Sequence, residues 1–232
     1  MRRVELETEQ RKLYLAAVVD AREKLRAAKP EDKMTVFAVL MRLREICCDP
    51  RLVADNWTGS SAKLEACLEL VTEAVAGGHR ILLFSQFTSM LELLAKRLDE
   101  AGVSHFTLQG STPKPVRAEQ VRRFNQGEAD VFLISLRAGG TGLNLTAADI
   151  VIHYDPWWNL AAQNQATDRA YRIGQRNPVQ VYRLIAQDTI EEKIVELQQA
   201  KQSLADTVTG GADGAILSMN PEQLLQLLGE EA

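Results

Sequence analysis

Residues 155–175 read DPWWNLAAQNQATDRAYRIGQ and follow directly on an apolar run, IVIHY, at 150–154. An apolar run followed by polar residues at helical spacing predicts a buried strand that leads into a helix. Positions three and four apart share one face of a helix. The side chains expected to share that face are Gln165, Asp168, Arg169 and Arg172. A face with two guanidinium groups is suited to binding a polyphosphate.

On both sides of residues 150–175, short apolar runs alternate with amphipathic stretches from residue 62 onward. The predicted strands cover 80–84, 103–108, 130–135, 149–154 and 179–186. The predicted helices cover 62–76, 89–101, 115–125, the stretch quoted above, and a long segment from Thr189. Strands that alternate with helices of about 10 to 15 residues predict a parallel sheet with helices on both faces. The fold class is therefore α/β.

The first 60 residues show a different pattern and are predicted to be helical. Residues 4–28 and 33–47 carry apolar side chains at helical spacing, and a proline lies just beyond each stretch. Turn-forming residues between 51 and 61 mark a boundary. We therefore predict a helical hairpin in 1–60 that packs on the main domain, the α/β lobe in 61–186, and a C-terminal helix with an acidic tail in 187–232.

The net charge of the 232 residues is −4, but it is unevenly distributed. Residues 187–232 contain nine acidic and two basic residues, so this tail carries −7 and the rest of the chain +3. A mildly basic body leaves contact with nucleic acid open without establishing it.

Other features of the sequence exclude several classes of protein. No apolar run approaches the roughly 18 residues of a membrane span, and the first residues lack the apolar core of a signal peptide. We therefore expect no membrane contact and a cytoplasmic or nuclear location. Cys47, Cys48 and Cys67 have the spacing of neither a disulfide framework nor a zinc site, so they are expected to be reduced core residues. The three histidines occur singly on or beside predicted strands, and no metal site is predicted.

Polar and glycine-rich segments follow the predicted strands, at the edge of the sheet where ligands bind in open α/β folds. They are Ser85-Gln86, Gln109-Gly110, residues 135–144 and residues 155–159. Glycines at 139, 140 and 142 let the backbone turn tightly and bring its N–H groups close to an anion. A tight crossover without a ligand is the alternative, and the neighbouring arginine helix favours the anion site.

A complete nucleotide-hydrolysing site is missing from these residues. No segment matches the phosphate-binding loop G-x-x-x-x-G-K-[ST], because GGTGLN at 139–144 lacks the lysine and the magnesium-binding hydroxyl. Asp99-Glu100 resembles a magnesium-binding DE box, but it ends an amphipathic helix rather than a buried strand. The chain therefore supplies arginines for phosphoryl transfer without the lysine, metal ligand or base.

Three motifs complete this pattern: LLFSQF at 82–87, AGGTGLNL at 138–145 and QATDRAYRIGQ at 165–175. Together they closely resemble the fourth, fifth and sixth motifs of the Swi/Snf family of helicase-like ATPases, which translocate on double-stranded DNA. The resemblance covers nearly the whole chain. VELETEQRKLY at 4–14 is similar to the segment that leaves the first lobe, LREICCDPRLV at 43–53 to the helical insert, and DTIEEKIVELQ at 188–198 to the brace helix. Asp49 stands at a packing turn where the family commonly has histidine.

The resemblance implies the second, C-terminal RecA-like lobe of a two-lobed motor, with an N-terminal helical hairpin and a C-terminal brace helix. ATP and Mg²⁺ would be held mainly by a first lobe upstream of Met1, so the isolated chain is expected to be inactive in ATP hydrolysis. Arg169 and Arg172 occupy the two arginine positions of the sixth motif and are expected to be catalytic. The residues expected to contact or position the nucleotide are Gly140, Thr141, Gly142, Gln165 and Asp168. The first three resemble the motif that couples nucleotide to DNA, so they could touch either ligand.

Double-stranded DNA is the expected partner of the loops that follow the strands. Short hydroxyls and backbone N–H groups there would bind phosphate oxygens without reading bases. The candidate residues are Ser85, Gln86, Thr88, Gly110, Ser135, Arg137 and Asn144. A basic helix carrying Lys114, Arg117, Arg122 and Arg123 faces either DNA or solvent. Of Trp157 and Trp158, one is expected to pack in the core and the other to line the cleft, and the sequence leaves open which.

Two further partners are expected: the first lobe of the same parent chain, and a protein bound through the acidic tail. The alternative function is a degenerate helicase lobe that binds a protein or nucleic acid without catalysis. The intact arginine and glycine motifs argue against it, since a scaffold needs neither. The location would be cytoplasmic and nucleoid-associated in a bacterium, or nuclear in a eukaryote.

Overall fold

The computed structural model describes residues 1–136, 138, 143–158, 160–168, 178–205 and 219–229. Six strands are found there: β1 Arg2–Val4, β2 Ile81–Ser85, β3 His105–Leu108, β4 Val131–Ser135, β5 Ile150–His153 and β6 Gln180–Ala186. The helices are α1 Thr8–Ala27, α2 Lys33–Cys48, α3 Ala62–Ala76, α4 Thr88–Glu100, α5 Lys114–Asn125, α6 Leu160–Thr167, α7 Ile190–Ala205 and α8 Pro221–Leu227, with a 3₁₀ turn at Pro50–Leu52.

The strands form one sheet in the order β1-β6-β5-β2-β4-β3. The pairs β2–β4, β2–β5, β3–β4 and β5–β6 are all parallel. The predicted parallel α/β sheet is therefore confirmed, and each of the five predicted strands is present. The edge strand β1 was not predicted, because three residues are too few to show a periodic pattern.

The central strands β2 and β4 owe their position to continuous apolar runs. All five residues of each strand are buried, as expected for a parallel sheet that is covered on both faces. Glycines end the helices that precede β2 and β3: Gly78 has φ +79° and Gly102 has φ +68°. Both values lie in the left-handed region that glycine adopts without steric cost, so the chain can turn sharply into the next strand.

The chain divides into two compact units. The sheet unit comprises Met1–Arg2, Leu64–Trp157 and Ala161–Leu184, and the helical unit comprises Arg3–Lys63, Trp158–Leu160 and Ile185–Ala232. Within the sheet unit, one core cluster is formed by apolar residues that include Leu82, Phe84, Phe124, Phe132 and Val151.

The helical unit has its own core, built mainly from α1 and α2. Tyr14, Val18 and Leu25 on α1 are buried in one cluster with Leu40 and Leu43 on α2, which confirms the predicted helical hairpin. The helix α8 also contributes to this cluster through Leu224, which is fully buried. Its start is fixed by a capping box between Asn220 and Gln223.

A buried ion pair fixes the start of α7 inside the helical unit. Lys63 Nζ lies 2.7 and 2.8 Å from the two carboxylate oxygens of Glu191, and both side chains have no solvent exposure. Glu191 Oε2 also accepts a hydrogen bond from the Ala186 N–H at 2.9 Å. The hydroxyl of Tyr14 accepts from the Ile190 N–H at 2.7 Å. Two of the N–H groups around the helix start are thus paired with side chains.

Three further observations concern the part of the chain that the structure describes. Cys47, Cys48 and Cys67 are all buried, which confirms their placement in the core. No helix in the described ranges is long and apolar enough to cross a membrane. Within the same ranges, no group of three or more His, Cys, Asp or Glu side chains could hold a metal ion.

Candidate functional site

The carboxyl ends of β2, β4 and β5 meet at one edge of the sheet, where the sequence predicts the ligand site. Ser85 at the end of β2 lies opposite Ser135 at the end of β4, and Phe84 lies opposite His153 at the end of β5. Both serines are buried, with 0% and 2% of their surface exposed. The last residues of these strands are therefore packed in the interior.

Asp155 organises the start of the loop after β2. The Ser85 hydroxyl donates to Asp155 Oδ1 at 2.6 Å, and the Gln86 N–H points at the same carboxylate at 3.3 and 3.4 Å. Ser85 Oγ in turn accepts from the Phe87 N–H at 3.1 Å. Asp155 is fully buried, so its carboxylate depends on protein groups, these donors among them, rather than on water. The sequence places Asp155 in the polar segment 155–159, but its contact with Ser85 depends on β5 lying beside β2 and could not be predicted from the sequence.

The predicted DNA-binding residues separate into two groups by exposure. Thr88, Gly110 and Asn144 are exposed and Gln86 is half-buried, so these residues can meet a ligand from solvent. Ser85 and Ser135 are buried, and the Ser85 hydroxyl already donates to Asp155. Thr88 is the first residue of α4 rather than a loop residue. The role of each residue in DNA binding stays a prediction.

Asn125 at the end of α5 holds the loop that contains Asn144. Its side-chain amide donates to the Asn144 carbonyl at 2.8 Å, and its Oδ1 accepts from the Ala147 N–H at 3.2 Å. Nothing in the sequence indicates this role for Asn125 beyond its place at the end of a predicted helix. The Asn125 side chain is thus bonded to both ends of the segment 144–147, which contains the predicted DNA-binding residue Asn144.

The arginines of the predicted basic helix α5 already have partners. Arg122 makes two hydrogen bonds to Glu119, at 2.6 and 2.9 Å, and these bonds lower the pKa of the Glu119 carboxyl. Arg123 pairs with Glu128 at 2.7 Å and lies 5.0 Å from the ring centroid of Phe106. Because neighbouring carboxylates offset these charges, the helix is less basic than its arginine count indicates.

Two residues of the predicted nucleotide-facing helix lie in the described part of α6 and its last turn. Gln165 and Asp168 are both exposed and lie three residues apart, on the side of the helix opposite to the buried Gln163. The Asp168 N–H donates to the Asn164 carbonyl at 2.8 Å, so the helical turn continues through Asp168. Both residues therefore face outward just before the arginine pair in sequence.

The two tryptophans after β5 have different surroundings. Trp158 packs in the helical unit, with the Arg44 guanidinium 4.0 Å from its ring centroid and the Phe37 ring at 6.5 Å. A cation over an indole face is a favourable contact. Trp157 belongs to the sheet unit and is half-buried. Trp158 is half-buried as well, so burial does not distinguish a core residue from a cleft-lining one, and which of the two lines the cleft stays a prediction.

Comparison with known proteins decides the family. Residues 62–174 match the family described as the helicase conserved C-terminal domain. An uncharacterized ATP-dependent helicase of Mycoplasma pneumoniae is 37% identical over 225 residues, which cover 97% of this chain and 22% of that protein. The SWI/SNF-related matrix-associated actin-dependent regulator of chromatin subfamily A member 1 of Mus musculus is 37% identical over 212 residues, 86% of this chain and 20% of that protein.

Solved structures that resemble this chain belong to the same class of ATPases as these relatives. The SWI2/SNF2 ATPase C-terminal domain of Sulfolobus solfataricus has a TM-score of 0.80 at 27% identity, covering 100% of this chain and 97% of that one. The SWI2/SNF2 ATPase core of the same organism in complex with dsDNA has a TM-score of 0.80 at 29% identity, covering 99% of this chain and 49% of that one. The chain belongs to the Swi/Snf family. It is the second, RecA-like lobe, and it spans about a fifth of the length of these curated relatives.

Several predicted site residues of this Swi/Snf lobe lie outside the described residues. They are Arg137, Gly140, Thr141, Gly142, Arg169 and Arg172. Their roles stay predictions from the motifs. The structure does describe residues next to these motifs. Ala138 and Leu143, which flank the glycines in sequence, are buried, and the exposed Gln165 and Asp168 precede the two arginines.

Proposed function

We propose that this Swi/Snf lobe is the second motor lobe of an ATP-dependent translocase on double-stranded DNA. In this proposal, Arg169 and Arg172 reach the phosphates of an ATP molecule bound by a first lobe. The observation that supports it most is the outward-facing pair Gln165 and Asp168 on the last turns of α6, directly before Arg169. A planar, permanently charged guanidinium on that face is suited to the charge that spreads over phosphoryl oxygens.

The first lobe supplies the rest of the phosphoryl-transfer site in this proposal. We assign Mg²⁺ and the phosphate-binding lysine to it, because this chain has neither the phosphate-binding loop nor a DE box after a strand. The isolated chain accordingly binds ATP weakly and does not hydrolyse it. The cycle of ATP binding and hydrolysis would open and close the cleft between the lobes and move the enzyme along the duplex.

Binding to duplex DNA is proposed for the loops at the carboxyl edge of the sheet. The related archaeal ATPase core, 29% identical to this chain, has been solved in complex with dsDNA. In this lobe the exposed candidates Thr88, Gly110 and Asn144 and the half-buried Gln86 offer hydroxyl, amide and backbone groups. Such groups position a protein on the phosphate backbone without reading sequence.

The test uses the isolated chain and a protein that joins it to its first lobe. Phosphate release by the isolated chain should stay at background with and without duplex DNA, and robust hydrolysis would refute the two-lobe assignment. In the two-lobed protein, Arg169→Ala or Arg172→Ala should reduce DNA-stimulated hydrolysis by about 10³- to 10⁵-fold, the range of an arginine finger.

Arg97→Ala serves as the matched control for these variants. Arg97 is an arginine of the same lobe that pairs with Glu65 and Glu100 on the protein surface. Its removal should leave DNA-stimulated hydrolysis within about twofold, because exposed ion pairs contribute little. Normal turnover in both motif variants would favour a lobe that binds a protein or nucleic acid without catalysis.

A further inference from the structure

We propose that His153 and Thr167 position the arginine motif of this lobe by fixing α6 to the end of β5. Both residues lie in the sheet unit, and His153 Nε2 is 2.8 Å from Thr167 Oγ1. Thr167 is the last residue of α6 and is followed by Asp168 and then by Arg169. The inference rests on the proposed function, since it concerns the geometry from which Arg169 and Arg172 would act.

The His153 ring is held rigidly in the core. It is 1% exposed and stacks on the Phe84 ring, with centroids 5.5 Å apart and planes inclined by 21°. Burial, and secondarily the positive charge of Arg183, lowers its pKa to about 3, so the ring is neutral near pH 7. A neutral imidazole has one N–H donor and one acceptor nitrogen.

The neighbours of the ring assign its proton to Nε2. The Thr167 hydroxyl has one proton and donates it to the Gln163 carbonyl one turn earlier, at 3.2 Å. Thr167 Oγ1 therefore accepts from His153, which requires the proton on Nε2. Among the described residues, His153 Nδ1 is buried and has no hydrogen-bond partner. Leaving a lone pair there avoids a buried N–H group without an acceptor.

A second anchor holds the other end of the same helix. Gln163 is 1% exposed, and its Oε1 accepts from the Trp157 N–H at 3.1 Å. The hydrogen bonds thus run from His153 to Thr167, from Thr167 to the Gln163 carbonyl, and from Trp157 to the Gln163 side chain. The last turn of α6 is tied to β5, and its first turn is tied to the segment that follows β5.

These anchors matter because α6 is short. An eight-residue helix is not stable by itself in water, so tertiary contacts set its orientation. The buried side holds Gln163 and Ala166, which leaves Gln165 and Asp168 pointing outward. A shift of about 1 Å in a catalytic group can cost on the order of 100-fold in rate. The hydrogen-bond relay of His153, Thr167, Gln163 and Trp157 therefore sets the orientation of α6, after which the arginine motif follows in sequence.

The experiment uses the two-lobed protein and measures kcat and KM for ATP with saturating duplex DNA. His153→Phe keeps an aromatic ring against Phe84 but removes the donor, and Thr167→Val removes the hydroxyl at nearly equal volume. Each should lower kcat roughly tenfold while the KM for ATP stays within about twofold, because the first lobe holds the nucleotide. His153→Gln retains an N–H donor and should recover most of the lost kcat.

A double variant separates positioning from general destabilisation. If the two residues act through one hydrogen bond, His153→Phe combined with Thr167→Val should have the kcat of either single variant, whereas independent structural damage would multiply the losses. His79→Gln is the control: His79 pairs with Asp149 at 2.9 Å outside the relay, and kcat should not change.

The outcomes distinguish the two proposals. If Arg169→Ala and Arg172→Ala abolish turnover while His153→Phe and Thr167→Val keep wild-type kcat, the positioning role is refuted and the proposed function stands. Multiplicative losses without rescue by His153→Gln would also refute it. If the arginine variants turn over normally, the proposed function itself fails.

Discussion

At the scale of single residues, the buried His153 is the group whose protonation the fold opposes most clearly. Its ring is enclosed by Phe84 and the end of α6, and its pKa of about 3 lies far below the ordinary value of 6.5. The desolvation of a charged imidazole is the main cause, and the charge of Arg183 adds to it. Folding therefore requires the neutral ring.

The shift predicts how stability depends on pH. Between pH 6.5 and about 3 the unfolded chain binds a proton at His153 and the folded chain does not, so stability is full above pH 6.5 and falls as the pH drops. Each pH unit in this window should cost about 1.4 kcal/mol. Chemical denaturation of the isolated chain at pH 7 and pH 5 measures the effect.

The His153→Gln variant is the reference, because it cannot titrate in this range. The free energy of unfolding of the wild type relative to this variant should fall by about 2 kcal/mol between pH 7 and pH 5. Subtracting the variant removes the contributions of the carboxylates that both proteins share. An unchanged difference would mean that the folded protein accommodates a protonated His153.

At the scale of elements, the first turn of α7 contains a buried carboxylate, Glu191, that pairs with the buried Lys63. Lys63 and Glu191 are fully buried, and the Glu191 carboxylate also accepts the Ala186 N–H. Removing one partner of a buried pair leaves an uncompensated charge, whereas removing both can be nearly neutral. Substitutions of Lys63 and Glu191 therefore measure how much this ion pair contributes to the stability of the start of α7.

Lys63→Met should lower the free energy of unfolding by roughly 3 to 5 kcal/mol, because Glu191 would stay buried without the charge of this lysine. Adding Glu191→Gln should recover most of that loss, since the amide oxygen can still accept the Ala186 N–H and carries no charge. Thermal and denaturant unfolding of the two variants give the comparison. Equal losses in the single and double variants would show that packing of the lysine stem, rather than its charge, is what counts.

The elements that sequence could predict were those with strong local patterns. β2 and β4 are continuous apolar runs between helices, and they were found where the pattern placed them. β1 was missed because three residues carry no periodicity, and α8 because its acidic surroundings resembled a solvated tail. Helical spacing predicted the shared outward face of Gln165 and Asp168.

Contacts that depend on strand order could not be read from the sequence. Asp155 and Ser85 are 70 positions apart, and they meet only because β5 and β2 are neighbours in the sheet. The link between His153 and Thr167 likewise requires α6 to fold back on β5. Motifs thus identified the candidate site, while the buried groups that support it became visible only in three dimensions.

At the scale of the whole molecule, the uneven charge of the chain should affect the proposed binding to DNA. Residues 187–232 carry −7 and the rest of the chain +3, so the tail opposes a polyanion that the body would attract. Part of this tail is structural: Leu224 of α8 is fully buried in the helical core, and deleting the whole tail would expose that core. Charge must therefore be changed without removing α8.

Asp206, Asp213, Glu230 and Glu231 lie outside α8, and replacing them with the corresponding amides changes the net charge from −4 to 0. Affinity for a short duplex should then rise several-fold at about 0.05 M salt, since long-range repulsion is weaker. The gain should disappear at about 1 M salt, where the screening length is only about 3 Å. Fluorescence anisotropy with two unrelated duplex sequences measures both effects, and the gain should be the same for both. An unchanged affinity at low salt, with unfolding unaffected, would mean that the acidic tail does not influence the DNA-binding surface.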